Sequence, residues 1–196
     1  MTQKIISHAT AVTAMCAFLY LIAFPNAAQD QRLREEYQAQ AMGQGTQLGR
    51  TFNETLIIEE YSSPEERQVL VEAFEKAGSQ GQFNALNKMH AKGHIPITGT
   101  LGSDVVFARK IPNPDGSIKI RVLTNHPIPF GEAWTNSRSM DYNLSAFELD
   151  IDKELRKGSG ILLSACQFKI DKTNELVIEN YQNPWKLVDI QDRSKG

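Results

Sequence analysis

The sequence has only two cysteines, Cys16 and Cys166. Cys16 falls inside an N-terminal apolar run that export would remove. Cys166 is then alone, and no disulfide within the chain can hold the fold. It sits in the apolar stretch from Gly160 to Phe168 and reads as a buried small hydrophobe. An excess of charge of one sign is also missing. The chain has 21 Lys and Arg against 23 Asp and Glu, a formal net charge of −2. That balance gives no electrostatic drive toward nucleic acid or an anionic lipid surface. The short signatures of the self-announcing enzymes are absent too. There is no Gly-x-Ser-x-Gly elbow, His-Glu-x-x-His, P-loop, dinucleotide glycine fingerprint, Ser-x-x-Lys or Cys-x-x-Cys. Hydrolases built on two carboxylates carry no short signature and are not removed by this test.

One long apolar run is present, from Ala9 to Phe24. Lys4 precedes it, Ala27 and Ala28 follow, and a polar stretch opens at Gln29. This is the layout of a secretory signal peptide over residues 1–28, with cleavage after Ala28. Asn26 at the third position before the cut departs from the small-residue rule. An uncleaved anchor is the competing reading, but the run is shorter than the ~20 residues that span a bilayer comfortably. A lipoprotein signal fits less well, because Cys16 follows Met15 in mid-run. The expected location is periplasmic or secreted, with no membrane span after cleavage.

Residues 29–50 are polar and Gln-rich and read as a linker, either a tether or a loosely helical leader. Residues 51–196 read as a single α+β domain. A strand is expected over Phe52–Tyr61. Ser63-Pro64-Glu65-Glu66 is a helix start, with an N-cap Ser, Pro in the first turn and Glu three residues after the cap. Leu70, Ala73, Phe74 and Ala77 then share one helix face, and Gly78 is a stop. A second helix over Gln82–Lys92 would complete a helical hairpin. From His94 the period becomes two. Strands are expected around Val105–Ala108 and Ile118–Val122, joined by the turn Asn113-Pro114-Asp115-Gly116, and then over 142–151, 160–170, 175–181 and 185–190. The connections are too short for parallel crossovers. The expected fold is a helical hairpin on a curved, mainly antiparallel sheet of about seven strands, possibly a partly closed barrel.

Candidate chemistry is sparse. His90 and His94 are four apart, but Gly93 between them ends the helix that would align them, so no metal site and no cofactor are expected. The segment Asn125–Asp141 is far longer than the ~4–6 residues of an ordinary connection. It holds His126, Glu132, Trp134, Arg138 and Asp141, which are the candidate ligand-binding residues. Glu132 and Asp141 suit an acid–base pair, with Arg138 placed to orient an anion. The competing reading is an irregular edge strand blocked by Pro127 and Pro129, with Trp134 capping the core. Arg109, Lys119 and Arg121 read as a solvated polar face. Tyr181 and Trp185 flank Asn183-Pro184 and read as a corner.

The runs Ser63-Pro-Glu-Glu-Arg67 and Lys88-Met-His-Ala-Lys-Gly93, the turn at Asp115-Gly116 and the ending Tyr181-Gln-Asn-Pro-Trp-Lys-Leu187 together resemble a group of small exported bacterial proteins of uncharacterised function. The resemblance implies a bacterial envelope setting and no particular activity or site. Two functions lead, with structural or inhibitory roles open beside them. One is an exported, non-catalytic binding module for a small amphipathic ligand or an envelope protein. The other is a small hydrolase that uses the carboxylates of residues 125–141.

Overall fold

A computed structural model describes residues 34–97, 101–128, 144–152, 157–171, 176–180 and 183–194. The strands are β1 (Glu35–Met42), β2 (Thr51–Ile58), β3 (Gly93–Ile95), β4 (Ser103–Pro112), β5 (Ile118–Thr124), β6 (Leu144–Ile151), β7 (Lys157–Ile170), β8 (Leu176–Asn180) and β9 (Trp185–Asp192). One helix, α1 (Pro64–Leu86), lies between β2 and β3. Every pairing is antiparallel. β1 to β7 pair in chain order, β7 pairs with β9, and β9 pairs with β1. The sheet therefore closes into an eight-stranded barrel. β8 is an extra strand on the far part of β7, from Cys166 to Ile170.

The antiparallel α+β expectation holds, and the barrel is closed. Two strands were not legible. Residues 35–42 lie in the region expected to be a linker, yet they form β1, paired on both sides. Tyr37 and Ala41 on this strand are buried, while Gln38 and Met42 face outward. The reason is composition. The inward positions are one tyrosine, one glutamate and two alanines, so the strand has no apolar run to announce it. β3 is three residues long and too short to show a period. Its brevity leaves part of the β4 edge open, and Ser62 fills it. The Ser62 N–H donates to the Ala108 carbonyl at 2.8 Å, and the Ala108 N–H donates to Ser62 Oγ at 3.1 Å.

Two apolar cores result. The first fills the barrel, with Leu56, Ile58, Val122, Phe147, Leu149 and Leu187 among its members. The second lies outside the wall, where α1 covers β4 to β7. There Leu70 and Leu86 pack with Phe107, Leu123, Leu163 and Cys166. Cys166 is fully buried, and its burial and the nearby Glu148 charge push its thiol well above the usual range.

The expected helix start forms as read. Ser63 Oγ accepts from the Glu66 N–H at 3.2 Å, and Glu66 Oε2 accepts from the Ser63 N–H at 2.9 Å. The helical hairpin expected from Gln82–Lys92 is not what forms, since a single helix runs on to Leu86. α1 is one element rather than two helices joined by a loop, and helical geometry fails only at Ala77 and Gly78. Gly78 has φ +60° and ψ −152°, a conformation open almost only to glycine. The parts on either side touch. A Cβ built on Gly81 would lie 2.1 Å from the Ala73 carbonyl oxygen and 3.0 Å from the Ala77 Cβ. Gly81→Ala is therefore expected to lower stability by about 2 kcal/mol, although alanine is the better helix former by about 1 kcal/mol. Urea unfolding measures this, and an unchanged or raised midpoint would refute the contact.

Candidate functional site

An eight-stranded barrel has an interior just wide enough to be filled by side chains or to hold one small ligand. Strand alternation decides which residues face it. On β2 these are Phe52, Glu54, Leu56 and Ile58, and on β1 they are Glu35, Tyr37, Ala39 and Ala41. Two of these positions carry carboxylates, and the two differ in kind.

Glu35 stands at the end where β1 begins and is fully engaged. Its Oε2 accepts from the Tyr37 hydroxyl at 2.8 Å and the Tyr61 hydroxyl at 2.5 Å, while Oε1 pairs with the Lys110 ammonium. Lys110 Nζ also lies 4.8 Å from the centre of the Tyr61 ring. Burial pushes the Glu35 carboxyl up, but the bonds from Lys110, Tyr61 and Tyr37 outweigh it and hold the group below its ordinary value. Burial and the Glu35 charge drive both phenols far up, so they stay protonated as donors. This cluster ties β1, the exit of β2 and β4 together.

Glu54 is a residue that sequence reading missed. It faces the interior opposite Ala39 of β1 and is only 6 % exposed. Its Oε2 has no hydrogen-bond partner among the described residues. The backbone N–H of Thr55 gives the carboxyl some relief, but burial dominates and pushes its pKa up to about 8. A signal was available. Glu54 shares the parity of Phe52, Leu56 and Ile58, so any strand that buries those three must bury Glu54.

The opposite end is closed by an aromatic pair and a polar knot. Phe52 and Trp185 meet edge to face, with ring centres 4.8 Å apart and planes at 63°. Trp185, expected at a corner, is buried in the barrel core instead. The chain leaving β5 turns inward, and Ile128 enters the same core. Its N–H donates to Ser145 Oγ at 2.7 Å, which donates in turn to the Ser164 carbonyl at 2.7 Å.

Of the five candidate residues between 125 and 141, only His126 is among those described. Its Nδ1 lies 2.7 Å from Asn125 Oδ1 and its Nε2 3.1 Å from Ser103 Oγ. Glu132, Trp134, Arg138 and Asp141 lie outside the described residues, as does Tyr181. His90 and His94 take separate partners, Glu60 at 3.0 Å and Asp104 at 3.5 Å. No cluster of three or more metal-ligating side chains occurs among the described residues. The polar face expected of the hairpin is an outer wall of ion pairs, Lys119 with Asp150 and Arg121 with Glu148.

A second polar cluster joins α1 to β3. Lys92 is 1 % exposed, and its Nζ donates to Glu60 at 2.6 Å and Glu66 at 2.9 Å and lies 2.8 Å from His90 Nε2. Beside it runs a groove of about 680 Å³ along α1, floored by Ala73, Ala77, Gly81 and Ala85. No protein-family model, curated protein or solved structure matches the chain. No helix among the described residues is long and apolar enough to cross a membrane.

Proposed function

We propose that this protein is an exported binding module that holds a small amphipathic ligand inside its barrel. The observation that carries the reading is Glu54, an interior carboxyl with an oxygen left unpartnered in an apolar surround. Burying such a group without a partner costs stability. Side chains that cost the fold and return nothing within it mark functional sites. The residue opposite it on β1 is the small Ala39. The proposed compartment is the periplasm or the medium, from the layout of residues 1–28.

The test is native mass spectrometry of the protein purified from the exported fraction of its own host. A discrete, removable mass above that of the chain is expected, and it should diminish in Glu54→Gln. A bare chain in both preparations would sink the reading.

A further inference from the structure

Resting on the binding-module reading, we infer that the barrel takes an amphipathic amine and seats its ammonium group on Glu54, with the apolar body along the core. The charges on the interior face point this way. Among the described residues they are Glu35, Glu54, Lys110 and, at the end of β9, Asp192. Lys110 is committed to Glu35 and packs over Tyr61. The one cation described on this face is therefore taken, so an anionic head group would find no partner among these residues, whereas a cation could pair with the Glu54 carboxylate. Glu54 offers a free acceptor oxygen, and a charge-assisted bond to an ammonium is about twice as strong as a neutral one. Phe52 lies two residues along the same face and packs on Trp185. Aromatic faces beside a carboxyl are favourable ground for a cation.

The proton balance is fixed by the site. With its pKa near 8, Glu54 is mostly protonated at pH 7. An ammonium that binds the carboxylate displaces that proton to solvent, and no other bond changes. The other titratable groups facing the interior, Glu35, Tyr37, Tyr61, Lys110 and Asp192, lie at the end where β1 begins. Glu35 and the two tyrosines hold their protonation states across this range.

The experiment is calorimetry of the exported protein with octylammonium chloride, 1-octanol and sodium octanoate, each in two buffers of different ionisation enthalpy. Octylammonium should bind about tenfold to a hundredfold tighter than octanol. It should release nearly one proton at pH 7 and weaken about tenfold per unit as pH falls below 8. Glu54→Gln should lose the preference and the proton release but keep octanol binding. If octanol or octanoate binds and octylammonium is not preferred, the amine inference falls while the carrier reading stands. If proton release persists in Glu54→Gln, Glu54 is not the seat. If none of the three binds, both readings fall.

Discussion

Glu54→Gln is expected to stabilise the protein by about 3 kcal/mol at pH 7 and to leave it nearly unchanged at pH 4. The carboxyl titrates near 4.5 when unfolded and near 8 when folded. Between those values the native state holds a proton that the unfolded state has released, so stability falls as pH rises. Below pH 4.5 both states are protonated and the difference vanishes. Above pH 8 both are ionised and the full penalty stands. Glutamine keeps the shape and never ionises, so the slope that Glu54 contributes should be absent from the variant, and the difference between the two proteins should grow from pH 4.5 to pH 8. Urea unfolding of both proteins from pH 4 to pH 9 tests this directly. Parallel curves would show that Glu54 is hydrated or paired, and the case for a functional carboxyl would go with it.

Lys92→Met should cost about 3 kcal/mol. Breaking a buried ion pair by removing one partner costs about 3–5 kcal/mol, because the other charge is left behind. Glu60 is 54 % exposed and can rehydrate, which places the expected loss at the lower end, whereas Glu66 is only 23 % exposed. Glu66 is also committed by its other oxygen to the cap of α1. Losing Lys92 therefore loosens the start of the helix as well as β3. Adding Glu66→Gln to Lys92→Met should recover part of the loss, since a neutral amide can still cap the helix. Burial pulls the Lys92 ammonium down, but the bonds to Glu60 and Glu66 outweigh it and hold the group above 10.5. The contribution is present below that value and is lost only as pH rises past it. The gap between wild type and Lys92→Met should thus be constant from pH 6 to pH 9. A gap that closes within that range would show that Lys92 is not the clamp.

How much of this was legible follows from what local pattern can carry. The cap at Ser63–Glu66 and the turn at Asn113–Gly116 are short-range devices, and both form as read. In that turn Gly116 has φ +87°, and its N–H donates to the Asn113 carbonyl at 3.1 Å. β1 was not legible, because inward Glu35, Tyr37, Ala39 and Ala41 give no apolar period. Closure was not legible either, since the pairing of β9 with β1 joins the two ends of the chain and no local signal encodes it. Glu54 by its residue type carries no mark of burial, because a lone glutamate in a strand ordinarily faces solvent. The segment after β5 stands out in the sequence for its length and its aromatic and charged residues, whereas the interior carboxyl lies on β2, whose pattern is that of an ordinary strand.

The closed seam also decides when folding can finish. The Glu36 N–H donates to Ser194 Oγ, 158 positions away. β4, β5 and β6 pair with near neighbours and can zip as soon as they exist, whereas β1 is made first and gains its β9 partner last. Closing so long a span is entropically slow, and until then the open edge of β1 is a template for another chain. Its outward side chains include Glu36, Gln38 and Gln40. The polar character that disguises this strand in the sequence is what keeps it soluble during the wait.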